Sequence, residues 1–144
     1  MEKIFVKNAS ENSKVAELIL EILRSKKSNI LFLMGNLGAG KTTFTHTLAK
    51  LLNTNNQVSS PTFVIQKIYN LEANNYGFKN IYHLDLYRLN SFEEIEDLGL
   101  LEETFNMKNL FVIEWPEKIR EKLKNSVTIK INILSDGARE FEIV

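Results

Sequence analysis

The residues from Gly35 to Thr42 fit G-x-x-x-x-G-K-[ST], the pattern of a phosphate-binding loop. Gly35 and Gly40 allow the chain to turn tightly, and Gly38 leaves the backbone between them unobstructed. The loop amides can then point inward at phosphate oxygens. The Lys41 ammonium can reach the β- and γ-phosphates of a nucleotide, and the Thr42 hydroxyl can ligate Mg²⁺. These residues predict a site for a nucleoside triphosphate and its metal ion.

The sequence on either side of this loop has the arrangement that the motif requires. An apolar run at 30–34 ends immediately before Gly35 and predicts a short buried strand. The helix that should follow offers unpaired N–H groups and its positive dipole end to the same anion. Its apolar residues recur at helical spacing: Phe44, Leu48, Leu51 and Leu52. The alternative, a strand-to-helix turn without a ligand, is disfavoured by this context.

Two acidic residues stand where strands are predicted to end. Asp85 lies at or near the end of the alternating segment 80–87, and Glu114 follows the apolar run 110–113. A carboxylate at such a strand end can reach the metal ion or the attacking water of a phosphoryl-transfer site. His83 lies two residues before Asp85, on the same face of its strand. It is either a hydrogen-bonded structural residue, which is the commoner case, or a group with a direct chemical role.

A threonine some twenty residues beyond the loop lysine is a further candidate. Pro61 favours an extended backbone at Ser60, which predicts a loop around Thr62. The Thr62 hydroxyl could sense Mg²⁺ and the γ-phosphate and order this loop in the triphosphate state. A plain surface turn accounts for the same residues equally well. Spacing alone leaves both interpretations open.

The predicted strands indicate an α/β fold with a mixed parallel and antiparallel sheet flanked by helices. The segments 63–69 and 80–87 flank a turn-forming stretch at 74–77 and should pair as an antiparallel hairpin. A second hairpin is expected at the carboxyl end, where two alternating segments flank an Asp-Gly turn. Besides the loop strand, the candidate strands are 3–7, 63–69, 80–87, 110–113, 127–133 and 139–144. This mixture differs from a purely parallel nucleotide-binding sheet.

Two helices are predicted from capping boxes, in which an acidic side chain reaches back to the residue that caps the helix. Asn8 with Glu11 marks the first, and Ser91 with Glu94 marks the second. The second helix should end near Gly99. Its acidic face is either a solvated surface or a face that docks a partner.

A third helix is expected to begin at Pro116, because proline is favoured in the first turn of a helix. Its apolar residues Ile119 and Leu123 would carry it onward at helical spacing. Trp115 lies between the acidic strand end and this helix. From the residues alone, this tryptophan could simply cap the edge of the core.

Composition bounds the class of protein. The 144 residues suffice for one ordinary core, so a single domain over 1–144 is expected. The absence of cysteine excludes disulfides, cysteine-based metal sites and thiol catalysis. Basic and acidic residues balance at 18 each, which argues against a protein that binds nucleic acid on its own. No segment is typical of a signal peptide or a membrane span, so a cytoplasmic location without a membrane partner is expected.

Four segments in this order carry a resemblance to a known family. They are GNLGAGKTT at 35–43, SPTF at 60–63, HLDLYRL at 83–89 and EWP at 114–116. The first is shared by many nucleotide-binding families, whereas H-x-D-x-Y-R followed by E-W is far more specific. With this combination the chain closely resembles the TsaE (YjeE) family over about 4–144. Members of that family are small bacterial ATPases of the tRNA threonylcarbamoyladenosine pathway.

The resemblance implies an activity and partners. It implies a protein with a mixed sheet flanked by helices. Such a protein binds ATP or ADP with Mg²⁺ and hydrolyses ATP slowly on its own. It also implies cooperation with TsaD and TsaB, which transfer the threonylcarbamoyl group to the tRNA adenosine next to the anticodon. The chain has no basic tail, so contact with tRNA is expected only through those partners.

The resemblance also assigns roles to individual residues. Lys41, Asp85, Glu114 and Thr62 are implied as catalytic residues, with Thr62 as the switch threonine. The Mg²⁺ ligands would be Thr42, Asp85 and Glu114. Nucleotide contacts are implied for a larger set, namely Glu11, Gly35, Leu37, Gly38, Ala39, Gly40, Lys41, Thr42, Thr43, Asp85, Trp115 and Arg139.

Two other classes of function use the same loop. A small-molecule kinase would need an acceptor pocket and usually an arginine-bearing lid, and neither is evident in the sequence. A nucleotide-gated binding module would use ATP only to control docking, and the acidic helix after Ser91 would then matter more than Glu114. Arg88 is near the predicted metal strand. It could serve the site, cap the helix after Ser91 or bind a partner.

Overall fold

A computed structural model describes residues 2–54 and 66–144, which form one seven-stranded sheet flanked by helices. The strands run β1-β7-β6-β2-β5-β4-β3 across the sheet. The central strand β2 is parallel to β5 and β6, and β4 is parallel to β5, whereas the remaining pairs are antiparallel. The predicted mixed sheet is confirmed. In chain order the strands are β1 (Glu2–Val6), β2 (Ile30–Met34), β3 (Gln66–Asn70), β4 (Asn80–Asp85), β5 (Asn109–Glu114), β6 (Val127–Ile133) and β7 (Arg139–Ile143).

Helices cover both faces of the sheet. On one face, α1 (Asn12–Lys26) and α2 (Lys41–Leu51) pack over a core that includes Leu31 and Leu33 of β2. On the other face, α3 (Phe92–Asp97) and α4 (Leu100–Glu103) share a second core with Phe32. The strand β2 is therefore apolar on both sides, as is typical of a buried parallel strand. No helix within the described ranges is long and apolar enough to cross a membrane.

Both predicted hairpins are confirmed. The strands β3 and β4 pair antiparallel, with Gln66 opposite Leu84 and Asn70 opposite Asn80. The strands β6 and β7 form the closing hairpin. Residues 63–65 of the first predicted strand lie outside the described part of the chain. Because β4 also pairs with β5, the first hairpin brings the carboxyl end of β4 beside that of β5.

The helix expected after Pro116 does not form. A 3₁₀ turn at Pro116–Lys118 is followed by further hydrogen-bonded turns. Trp115 precedes this segment and Asn125 follows it. Both have left-handed backbones, with φ of 56° and 58°. These two residues therefore confine any helix to positions 116–124. Ile119 and Leu123, which suggested the helix, are nevertheless buried in the second core.

Neither predicted capping box forms. Glu11 accepts a hydrogen bond from the backbone N–H of Lys7 at 3.5 Å, and Glu94 accepts one from Asn90 at 2.9 Å. In each case the acid reaches one residue further back than a capping box requires. The first turn is a 3₁₀ turn at Ala9–Glu11, so α1 begins only at Asn12. The second helix ends close to its predicted limit at Gly99, which has a left-handed backbone.

Candidate functional site

The glycine loop joins the central strand β2 to α2. A residue of β7, two strands away in the sheet, hydrogen-bonds to it. Gly40 is the last residue before α2 and has a left-handed backbone, with φ of 106°. Arg139 of β7 donates from Nε to the carbonyl oxygen of Ala39 at 2.9 Å and from Nη1 to that of Gly137 at 2.8 Å. The loop is therefore tied to a strand that is a hundred residues away in the chain.

Gly35 has the tightest surroundings of the loop glycines, and Gly35→Ala is expected to destabilise the fold. A Cβ at this position would lie 2.6 Å from the carbonyl oxygen of Ile131, and its φ of +153° disfavours a side chain. The contact is with backbone, so β6 would have to shift, at a cost of about 1–3 kcal/mol. The matched control is Gly77→Ala, which strains the backbone but meets no atom within 4 Å. Thermal unfolding should show a clearly larger fall in Tm for Gly35→Ala, and equal falls would refute the steric argument.

Lys41 lies at the centre of the site, where its ammonium is enclosed by loop carbonyls and an aromatic ring. Nζ donates to the carbonyl oxygens of Gly35 and, at 3.4 Å, Asn36, and it lies 4.0 Å from the centroid of the Trp115 ring. Burial lowers the pKa of Lys41, against the opposing charges of nearby carboxylates, first that of Glu114. An ammonium with weak neutral acceptors gains strongly from an anionic partner such as a phosphate.

Trp115 is held in an unusual backbone conformation beside this lysine. Its φ of 56° is rare for a bulky residue and is found mostly where surrounding structure or function requires it. The Trp115 ring also packs against Tyr87, with the two ring centroids 4.9 Å apart. Tyr87 is 54% exposed, so the aromatic pair forms the rim of the site. Tyr87 belongs to the H-x-D-x-Y-R signature, but sequence reasoning gave it no individual role at the site.

The two predicted carboxylates meet at the ends of neighbouring parallel strands. Asp85, the last residue of β4, pairs in register with Glu114, the last residue of β5. Both are buried. Asp85 accepts a hydrogen bond from the N–H of Tyr87 through Oδ1 at 2.9 Å. Burial raises the pKa of Asp85, and the Glu114 charge adds to this effect, while the Tyr87 N–H and the charge of Lys41 oppose it.

Glu114 also makes a hydrogen bond to a side chain of the neighbouring strand β4. Its Oε2 lies 2.6 Å from Nε2 of His83, which is fully buried on the same face of β4 as Asp85. Within the described residues, Nδ1 of His83 has no hydrogen-bond partner. His83 is therefore hydrogen-bonded, as expected for a structural histidine, but its partner is a residue of the site.

The loop, the lysine and the carboxylates surround one cavity of about 320 Å³. Most of the residues proposed from sequence line it; Gly35 contributes its carbonyl oxygen to Lys41 instead. Leu37 is on the outer side and is 68% exposed. The lining consists of Leu37, Gly38, Ala39, Gly40, Lys41, Thr42, Thr43, Asp85, Glu114, Trp115 and Arg139.

A second cavity of about 200 Å³ adjoins the first and shares Arg139 and the loop residues Ala39, Gly40 and Thr43 with it. Its far wall is the turn from β1 into α1, including Asn12. Asn12 is 5% exposed, and its side-chain carbonyl oxygen has no hydrogen-bond partner within the described chain. Sequence reasoning missed Asn12, because an asparagine at the start of a helix usually signals only a cap.

Besides Gly35, one described residue among those predicted for the site lies outside both cavities. Glu11 lines neither cavity, and its carboxylate binds the backbone of Lys7, which lines the second. Thr62 lies outside the described residues, so its proposed switch role stays a prediction.

The oxygen groups around the first cavity suit magnesium. No cluster of three or more His, Cys, Asp or Glu side chains that could hold a metal ion occurs in 2–54 and 66–144. Mg²⁺ does not need such a cluster, since it is usually bound by one or two carboxylates together with substrate phosphates and waters. Asp85, Glu114 and the Thr42 hydroxyl supply hard oxygen ligands of this kind beside the loop.

Comparisons with known proteins agree with this architecture. The family model described as "Threonylcarbamoyl adenosine biosynthesis protein TsaE" matches residues 6–141. The chain is 38% identical to the tRNA threonylcarbamoyladenosine biosynthesis protein TsaE of Haemophilus influenzae, over 91% of this chain and 78% of that protein. It is 39% identical to the Bacillus subtilis protein of the same name, over 92% and 78%.

A solved structure shows the same fold. The crystal structure of Bacillus subtilis YdiB superposes with a TM-score of 0.67 at 29% sequence identity, covering 99% of this chain and 83% of that one. Together with the mixed sheet and the glycine loop at the end of β2, this likeness identifies the fold as that of a P-loop protein. A family match over nearly the whole chain and relatives near 40% identity lead to one conclusion: the chain belongs to the TsaE family of threonylcarbamoyl adenosine biosynthesis proteins.

Proposed function

We propose that the protein binds and hydrolyses Mg·ATP in support of the TsaD–TsaB complex, which transfers the threonylcarbamoyl group to a tRNA adenosine next to the anticodon. The observation that carries this proposal is the shared cavity. It is lined by loop residues, by the buried Lys41 and by the two strand-end acids Asp85 and Glu114. Anion-binding groups and metal-binding groups therefore face the same volume, as phosphoryl transfer requires.

Each residue has a distinct part in the proposed reaction. Lys41 exchanges its carbonyl partners for the oxygens of the β- and γ-phosphates, so positive charge lies where negative charge develops. Thr42 and Asp85, with Glu114, would hold Mg²⁺, which when bound neutralises phosphate charge. Glu114 also orients the water that attacks the γ-phosphate. Catalysis is then mainly by positioning and charge neutralisation.

The second cavity suits the nucleoside end of ATP. It adjoins the loop through Gly40 and Thr43, and Arg139 lies between the two cavities. Asn12 brings a buried carbonyl oxygen without a partner among the described residues. A buried acceptor of this kind gains from a ligand that carries an N–H group, as the adenine base does. Glu11 stays a proposed contact of the nucleotide, and Thr62 stays the proposed switch threonine.

Turnover should depend on the partner proteins. We expect slow release of phosphate from ATP by the purified chain and a rise of about tenfold or more when TsaD and TsaB are added together. Equal amounts of ADP and free phosphate should form, because water is the acceptor. Phosphate transferred to another molecule would instead indicate a kinase. Turnover that is unchanged by TsaD and TsaB, together or singly, would contradict the proposed partnership.

A further inference from the structure

We propose that His83 is a positioning residue for ATP hydrolysis, fixing one oxygen of Glu114 so that the other serves the phosphate cavity. This inference rests on the proposed function. His83 is 0% exposed and does not line either cavity beside the loop, so it acts through Glu114 rather than on the nucleotide. Among the described residues, the His83 side chain hydrogen-bonds to Glu114, with 2.6 Å between Nε2 and Oε2.

The sheet itself sets up this contact. In the register of β4 and β5, His83 pairs with Val112 and Asp85 pairs with Glu114. Residues two apart on a strand share a face, so His83 and Glu114 are diagonal neighbours on the face that carries α2. The register fixes the distance between the two backbones, and burial of both side chains restricts rotation of the imidazole away from Glu114. The carboxylate is therefore held in a defined position.

The surroundings of the imidazole select which atom carries its proton. A carboxylate only accepts hydrogen bonds, so Nε2 must be the donor to Glu114. Nδ1 is buried and has no partner within the described residues. An N–H at Nδ1 would be a buried donor without an acceptor among these residues, which is costly, whereas an unprotonated Nδ1 costs less. We therefore expect the tautomer with hydrogen on Nε2.

The contact has a consequence for the reacting groups. Among the charges that act on Lys41, that of Glu114 has the largest effect. A Glu114 side chain free to rotate could pair with the Lys41 ammonium and compete with the phosphates for it. Holding Oε2 on His83 prevents this and leaves Oε1 for the water or the metal ion. Groups that orient a metal-ligating side chain in this way typically contribute about 10–100-fold to metal affinity or activity.

Two substitutions of similar size and polarity test the proposal. In His83→Gln the amide nitrogen can reach the position of Nε2, whereas in His83→Asn it corresponds to Nδ1 and falls short of Glu114. We expect kcat for ATP hydrolysis to fall about 10–100-fold in His83→Asn, with KM within about threefold, and to be largely kept in His83→Gln. Val112→Ala is the control, since it removes buried volume at the paired position and should lower Tm without changing kcat.

The outcomes separate this proposal from the proposed function. If the parent protein hydrolyses ATP and His83→Asn does so equally well, only the role of His83 is refuted. Loss of kcat to the same extent in both variants would also refute it, because the loss would then not depend on reaching Glu114. If the parent protein does not hydrolyse ATP with TsaD and TsaB, both proposals fail. Independently of activity, ¹⁵N chemical shifts should show hydrogen on Nε2, and hydrogen on Nδ1 would overturn the assignment.

Discussion

Replacing Lys41 with alanine is expected to weaken ATP binding by about a hundredfold or more. The ammonium would make charge-assisted hydrogen bonds to phosphate, worth roughly 1.5–3 kcal/mol each, and about 2.7 kcal/mol corresponds to a hundredfold change in affinity. The fold should be kept. Because burial lowers the pKa of Lys41, its charged form is disfavoured in the folded state, and its removal should not reduce Tm. Equilibrium dialysis with labelled ATP measures the affinity.

The matched control for this substitution is Lys50→Ala. Lys50 lies in the last turn of α2, the helix that begins with Lys41, and is exposed. It carries the same charge but lines neither the cavity that holds Asp85 and Glu114 nor the one that holds Asn12. Its substitution should leave ATP affinity within about twofold. Equal affinity for ATP in the Lys41→Ala, Lys50→Ala and parent proteins would contradict the role given to the loop lysine.

Asp85→Asn should have opposite effects on activity and stability. The amide keeps the shape and can still accept the hydrogen bond from Tyr87, but it is a poor ligand for Mg²⁺. Since a bound metal supplies several kcal/mol of charge stabilisation, kcat should fall about a hundredfold or more. At pH 7 in the absence of nucleotide and metal, however, Tm should rise by a few degrees. The variant removes a carboxylate whose ionised form is disfavoured by burial.

The effect of Asp85→Asn on Tm should change with pH in a direction that can be measured. The pKa of Asp85 is raised in the folded state, so ionised Asp85 lowers stability at pH values above that pKa. The stability advantage of Asp85→Asn should therefore be full at neutral pH, shrink as the pH falls through the raised pKa, and vanish below about pH 4, where the aspartate is protonated in both states. Asp97→Asn, at an exposed position of α3, should change neither kcat nor Tm appreciably. A lower Tm for Asp85→Asn at pH 7 would contradict the burial argument.

The sequence predicted the neighbours within the candidate site where local patterns were sufficient. The loop motif places Gly35, Gly40, Lys41 and Thr42 close together, because a short turn of backbone joins the strand to the helix that follows. Strand patterns also placed Asp85 and Glu114 at one edge of the sheet, because the carboxyl ends of neighbouring parallel strands lie side by side. These inferences need only local periodicity and the rules of parallel sheets.

The contacts that depend on pairing between distant segments could not be predicted from the chain alone. The hydrogen bond between His83 and Glu114 spans 31 positions and requires the register of β4 and β5. The hydrogen bond from Arg139 to Ala39 spans 100 positions. It requires β7 to lie next to β6, on the side away from β2. In the case of Arg139, only the family resemblance suggested a role near the nucleotide.

The local predictions that were wrong share a physical cause. The two capping boxes and the helix after Pro116 were inferred from short-range propensity, which tertiary structure readily overrides. The turn at Ala9–Glu11 is tighter than an α-helix, so Glu11 reaches Lys7. After Pro116, burial of Ile119 is achieved by turns without a helix. Ile119 and Leu123 were correctly placed on one apolar face and are buried, but the backbone between them took another form.

Calorimetric titration of the purified parent protein with Mg·ATP tests the central claim most directly. The account predicts saturable binding of one nucleotide per chain, competition by Mg·ADP, and weaker binding when Mg²⁺ is removed by a chelator. A titration that shows no saturable binding of Mg·ATP or Mg·ADP up to millimolar concentration, in a protein shown to be folded, would contradict it.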